Sequence, residues 1–132
     1  MLEIKTTPQQ IAAPSQTVFQ FLADLNNLQK LMPDRVEGWQ SDADKCTFTI
    51  KGMATIEMQV KERNPNSSIA LESFGKSPFP FTLSSSILDK DGGTEVSLVF
   101  QGDMNPFMKM MAEGPLRNFF NQLAEKLPQQ FL

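Results

Sequence analysis

The sequence predicts a single α+β domain, residues 1–132, in which a curved antiparallel sheet wraps around one long C-terminal helix. Apolar residues recur at helical spacing near the N-terminus, alternate with polar residues from Val36 to Asp103, and return to helical spacing from Phe107 to Leu127. A chain of 132 residues, with 40% hydrophobic and 20% charged residues, is long enough to bury one core. No second domain is needed.

The N-terminal third is predicted to form one strand and two short helices. Residues 1–7 alternate between apolar and polar side chains, which indicates a strand with one buried face. Helical spacing begins behind Ser15, a candidate N-cap, breaks at Asn26-Asn27 and stops at Pro33. The two helical segments should therefore meet at an angle.

The central segment is predicted to be an antiparallel meander of about six strands, which gives about seven with the N-terminal strand. Gly52 lies between two alternating runs and marks the first hairpin. Further turns are expected at 64–66, 75–78 and 91–93. Residues 89–93 are similar to the start of a calcium loop, but Phe100 occupies the position of its bidentate carboxylate, so a tight hairpin is predicted there.

The C-terminal helix is expected to cover the apolar face of the sheet. Asn105 is a candidate N-cap and Pro106 suits the first helical position. Gly114-Pro115 should kink or briefly break the helix, because Pro115 cannot donate to the carbonyl of Met111. The apolar residues at helical spacing are Met108, Met111, Leu116, Phe119, Phe120, Leu123 and Leu127.

Charge and cysteine content restrict the partners. The net charge is −3 and the twelve Lys and Arg residues are dispersed, so a nucleic-acid partner is not expected. The single cysteine, Cys46, cannot form an internal disulfide, and the first twenty residues carry no signal sequence, which together predict a cytoplasmic protein. No apolar run approaches the roughly 18 residues of an integral membrane segment.

The absence of two residue types excludes several kinds of catalysis. The chain has no histidine and no tyrosine, which rules out Ser-His-Asp and Cys-His machinery and histidine-bound zinc. Any acid or base would have to be a carboxylate, a lysine or Cys46 with a shifted pKa. No catalytic residue, metal site or cofactor is predicted.

The order of elements and several short segments resemble the START-like superfamily, also called SRPBCC, which has the helix-grip fold. Its members include the birch-pollen allergen, polyketide cyclases and ubiquinone-binding proteins. The segment from Asn105 to Met111 is most similar to small uncharacterised bacterial members. The segments that carry the resemblance are Ala13-Pro14-Ser15, Val18-Phe19, Phe21-Leu22, Asp24-Leu25-Asn26, Leu31-Met32-Pro33 and Val36.

This resemblance implies a cavity between the long helix and the concave face of the sheet, commonly used for apolar molecules. The superfamily has no universal catalytic motif. We therefore predict non-catalytic binding or transport of a hydrophobic or amphipathic small molecule such as a lipid, quinone or polyketide. The candidate ligand contacts are Phe48, Ile56, Met58, Phe79, Phe81, Leu83, Leu98, Phe100, Met104, Met108, Met111 and Phe119.

Several alternatives stay open at this stage. The methionines that begin the long helix suit ligands of varied shape, but they are equally typical of plain core packing. Residues 78–81 are expected at the rim of the cavity, although proline in a strand more often marks an edge. A cyclase or dehydrase-like enzyme is the first alternative function. A protein-interaction module is the second, and its sign would be an exposed apolar patch around Phe107, Met110 and Phe131. The sequence does not define the oligomeric state.

Overall fold

A computed structural model describes residues 1–132 and confirms the predicted helix-grip architecture, with one strand more than expected. Two 3₁₀ helices, Leu25–Leu31 and Pro128–Phe131, accompany the two α-helices. The α-helices are α1 (Ser15–Ala23) and α2 (Pro106–Lys126). The strands are β1 (Leu2–Lys5), β2 (Gln9–Ile11), β3 (Val36–Ser41), β4 (Lys45–Ile50), β5 (Ala54–Asn64), β6 (Ser68–Ser73), β7 (Phe81–Lys90) and β8 (Gly93–Gly102).

All strand pairs are antiparallel, in the order β1-β8-β7-β6-β5-β4-β3, and β2 also pairs with β8. The additional strand is β2, which begins at Gln9, beyond the strand predicted for residues 1–7 and after a gap at residues 6–8. Pro8 has no N–H to donate to the ladder. The Thr6 hydroxyl oxygen instead accepts a hydrogen bond from the Leu98 N–H at 3.0 Å, so that the backbone of β8 stays paired across the interruption.

The tight hairpins lie where glycine and asparagine predicted them. The β7–β8 turn is closed by Lys90 and Gly93, and its central residues Asp91 and Gly92 have φ of 51° and 81°. Positive φ at both central positions defines the turn type that matches the twist of a hairpin. The hairpin prediction for residues 89–93 is thus confirmed, and no group of acidic, cysteine or histidine side chains suitable for a metal ion occurs.

The start of α2 agrees with the prediction, whereas the start of α1 does not. The Asn105 side chain accepts a hydrogen bond from the Met108 N–H at 2.8 Å, and Pro106 is the first helical residue. In α1 the N-cap is Pro14, which has no side-chain acceptor, and Ser15 is already helical. The predicted Ser15 cap is therefore wrong by one position.

Of the kink or short break predicted at Gly114-Pro115, the break is wrong, because α2 runs without interruption from Pro106 to Lys126. Both residues are exposed, so water can satisfy the carbonyl of Met111 that Pro115 leaves without a helical donor. The two halves of the helix nevertheless differ in packing. Every buried α2 residue follows Pro115, and none lies between Pro106 and Pro115.

Candidate ligand-binding cavity

A single hydrophobic cluster of 29 buried residues joins the concave face of the sheet to α2, α1 and the first 3₁₀ helix. Within it lies a void of about 20 Å³ whose lining is entirely hydrophobic. The twelve residues around the void are Phe48, Ile50, Ile56, Met58, Phe79, Phe81, Leu83, Phe100, Leu116, Phe119, Phe120 and Leu123.

Strand alternation explains how the sheet supplies most of this lining. Phe48 and Ile50 of β4 are two residues apart, as are Ile56 and Met58 of β5, so each pair points to the same face. Phe81 and Leu83 of β7 follow the same rule, and Phe100 of β8 completes the floor. The intervening threonines, Glu57 and Ser84 face the other way.

The helix supplies the opposite wall. Leu116, Phe119, Phe120 and Leu123 recur at three- and four-residue intervals, which places them on one side of α2. Phe119 stacks on Phe48 with ring centroids 6.3 Å apart. The two rings thus form a direct contact between the helix and the sheet.

The structure brings most of the predicted ligand contacts together, although their binding role remains a prediction. Eight of the twelve candidates line the void: Phe48, Ile56, Met58, Phe79, Phe81, Leu83, Phe100 and Phe119. Leu98 and Met104 are buried outside the lining, at 3% and 9% exposure. Met108 is partly buried against the core.

The placement of Met111 contradicts its expected position over the sheet, because its side chain is 64% exposed. Successive residues of a helix are about 100° apart. Phe107, Met110 and Met111 therefore share one side of α2, opposite to Leu116 and Phe119, and they are 65%, 74% and 64% exposed. The expected continuous apolar stripe is instead two stripes on opposite faces.

Sequence reasoning left four lining residues out of the candidate contacts: Ile50, Leu116, Phe120 and Leu123. The helical spacing had already placed the last three on the apolar side of the helix. Ile50 continues the alternation of Phe48. The periodicity of the sequence thus places all four on the apolar faces, although they were not chosen as ligand contacts.

The void is much smaller than a ligand site. A volume of about 20 Å³ holds roughly one water molecule. Pockets for small organic ligands usually enclose about 300–1,000 Å³. The expected unfilled space is therefore almost closed in this structure, and a ligand would have to displace side chains.

The cavity contains no ionisable side chain, since all twelve lining residues are hydrophobic. Cys46 is buried in β4, and burial raises the pKa of its thiol to about 12, but it lies outside the lining. At the surface, backbone N–H groups of Asp44 and Lys45 lower the pKa of Asp42. The arrangement can hold apolar groups, but it offers the interior no acid or base.

The protein-interaction alternative predicted an exposed patch that included Phe131. The structure exposes Phe107 and Met110, whereas the Phe131 ring packs edge-on against Phe21 at 5.4 Å between centroids. The patch on α2 therefore consists of Phe107, Met110 and Met111 alone. None of the helices combines the length and hydropathy needed to cross a membrane.

The family model for polyketide cyclases or dehydrases and lipid transport proteins matches residues 1–131. The chain belongs to this family. The predicted resemblance to the START-like superfamily is thereby confirmed. No curated protein matches the chain significantly in sequence.

Several solved structures of low sequence identity share the fold of this family member. The XoxI protein of Bacillus cereus is 14% identical, with 99% of this chain and 96% of that one aligned at a TM-score of 0.77. A Thermus thermophilus protein is 16% identical, with coverage of 98% and 97% and a TM-score of 0.72. The Aha1 dimer protein of Colwellia psychrerythraea is 18% identical, with 97% of both chains aligned at a TM-score of 0.64.

Proposed function

We propose that this protein binds a hydrophobic or amphipathic small molecule, such as a lipid, quinone or polyketide, between α2 and the sheet, without catalysing a reaction on it. The observation that carries the proposal is the uniformly hydrophobic lining of the interior. Burying each methylene of a ligand there contributes about 0.8 kcal/mol. The family's description, which includes lipid transport, supports the same function.

Binding requires the interior to widen beyond its void of about 20 Å³. The half of α2 before Pro115 has no fully buried residue and meets the core only through the partly buried Met108 and Ala112, so its displacement would break less packing than displacement of the second half. Met58 has a flexible side chain, and Phe79 lies at the edge of the lining, so both can rearrange around a guest.

The family description also names cyclases and dehydrases, which keeps an enzyme as the second candidate. Such chemistry needs a group that transfers a proton next to the substrate. An interior lined by twelve hydrophobic residues supplies none. This lining favours binding over catalysis.

Titration with dansyl-labelled undecanoic acid, followed by fluorescence, tests the proposal. Phe119→Ala enlarges the cavity, so that less rearrangement is needed, and should tighten binding by about tenfold. Phe107→Ala removes the same ring from the exposed side of the same helix and should leave affinity unchanged. If Phe119→Ala unfolds, Leu123→Ala makes a smaller enlargement of the same lining.

A second measurement identifies a natural ligand. Native mass spectrometry of protein purified from its own host should show an added mass that organic extraction removes. Bare protein in that spectrum, together with no dansyl binding to the parent or to Phe119→Ala, would refute the proposed function.

A further inference from the structure

Phe79 differs from every other residue that lines the cavity. The remaining lining residues belong to a strand or to α2 and are buried, whereas Phe79 lies in the β6–β7 loop, residues 74–80, and is only partly buried. Its ring meets Phe81 and Phe100 edge-on, with centroids 6.0 and 6.2 Å away. Phe79 is therefore the most exposed residue of the lining.

The same residue also lines a surface hollow of about 390 Å³ on the outside of the β6–β7 loop. Phe79 thus separates the interior void from open solvent. Phe81 separates the void from another surface hollow, but its backbone is paired with Gly102 in the sheet and its side chain is 6% exposed. Phe79 and Phe81 both separate the void from the surface, but only Phe79 lies outside a strand or helix.

The backbone around Phe79 is weakly held. Phe79 itself makes no hydrogen bond, and its neighbours Pro78 and Pro80 have no N–H to donate. The only hydrogen bond of residues 78–80 runs from the Asp103 N–H to the Pro80 carbonyl, at 2.8 Å. Moving the Phe79 ring outward therefore breaks mainly aromatic packing.

The preceding part of the loop is fixed to β5 at Glu57. The Glu57 carbonyl accepts hydrogen bonds from the Phe74 N–H at 3.0 Å and the Ser77 hydroxyl at 2.7 Å, and the Glu57 N–H donates to Ser77 Oγ at 2.9 Å. The Glu57 carboxylate accepts from the Lys76 N–H. A side chain at Gly75, which has φ of 57°, would overlap this carboxylate.

We infer that Phe79 is the gate through which apolar ligands enter the cavity, and that Glu57 fixes the loop that carries it. The ring swings outward over the surface hollow while residues 74–77 stay bonded to β5. The size of the side chain at position 79 then sets how quickly ligands enter and leave. This inference rests on the proposed function, because it names the entrance to the proposed site.

The gate is tested without any ligand, by thiol trapping in the interior. Cys46→Ala/Leu83→Cys places the only thiol in the cavity lining, and 4,4′-dithiodipyridine serves as the apolar reagent. Adding Phe79→Ala should accelerate labelling by at least about tenfold, and Phe79→Trp should slow it. Ser77→Ala removes the hydroxyl that bonds to Glu57 and should also accelerate labelling.

Phe48→Ala in the same background is the matched control. It removes an identical ring from the floor of the cavity, away from the β6–β7 loop, and destabilises the core without altering the gate. Equal acceleration by Phe48→Ala and Phe79→Ala, or no acceleration by Phe79→Ala, would overturn the inference. Either result would leave dansyl-undecanoate binding intact, whereas failure of the proposed function would abolish that binding and leave the labelling rates unaffected.

Discussion

Phe100 of β8 and Phe120 of α2 stack with their ring centroids 4.8 Å apart. This contact joins the sheet to the second half of the helix, where all the buried α2 residues lie. Phe120 also meets Phe119 edge-on at 5.3 Å. The aromatic rings therefore both anchor α2 and fill the space that a ligand would occupy, so that stability and binding compete for the same residues.

Phe120→Ala should lower the free energy of unfolding by about 3–5 kcal/mol, because it leaves a cavity among well-packed rings. Phe107→Ala, on the exposed side of the same helix, should change it by less than about 0.5 kcal/mol. Urea unfolding followed by circular dichroism measures both. Similar values for the two variants would show that α2 is not held through its second half.

Asn105→Ala should destabilise the protein by about 1 kcal/mol, because the Met108 N–H loses its acceptor at the start of α2. Asn118→Ala is the matched control, since Asn118 is exposed within the same helix and caps nothing. Thermal unfolding of the two variants should separate them. An unchanged melting temperature in Asn105→Ala would mean that the first turn contributes nothing to the native state.

Gly75→Ala should cost more than the roughly 1 kcal/mol expected for alanine at positive φ, because its Cβ would also overlap the Glu57 carboxylate. Gly52→Ala is the control for the cost of positive φ alone, because Gly52 has φ of 77° and open space around a Cβ. The difference in unfolding free energy between these variants isolates the contact with Glu57. No difference would show that the loop does not rest on this carboxylate.

Cys46 should resist thiol reagents in the folded protein. Burial raises the pKa of its thiol to about 12, so the reactive thiolate is scarce at pH 8, and the side chain is 2% exposed. The thiol favours the folded state below its unfolded pKa, and this contribution is lost as pH rises toward 12. Labelling with Ellman's reagent should be slow without urea and rapid above the unfolding midpoint. Rapid labelling of native protein would contradict the buried placement.

Much of this fold follows from periodicity. Alternation placed Phe48, Ile56 and Phe100 on the inner face, and Asn105-Pro106 marked the start of α2 correctly. The predicted position of Met111 was wrong because the sequence does not show which part of the helix packs against the sheet. Hydrophobic residues on opposite sides of α2 have similar spacing, and only packing against the sheet distinguishes them.

The size of the cavity and the anchoring of its rim lay beyond prediction for a different reason. The free volume depends on how the rings of Phe119 and Phe120 fit against the sheet, and ring packing is a three-dimensional property. The bond between Ser77 and Glu57 joins residues twenty positions apart without any periodic signal. Residues 78–81 were expected at the rim, but neither the partial exposure of Phe79 nor its lack of hydrogen bonds was readable from Pro78-Phe79-Pro80.

Binding of an apolar guest requires the interior between the sheet and α2 to open. Methyl-¹³C labelling of the eight methionines reports this opening, because Met58 lines the cavity whereas Met110 and Met111 lie on the outer side of α2. On titration with undecanoic acid, we expect a saturable shift of the Met58 methyl resonance and contacts from the ligand chain to that methyl. Shifts confined to Met110 and Met111, or no shift at Met58 at saturating ligand, would contradict it.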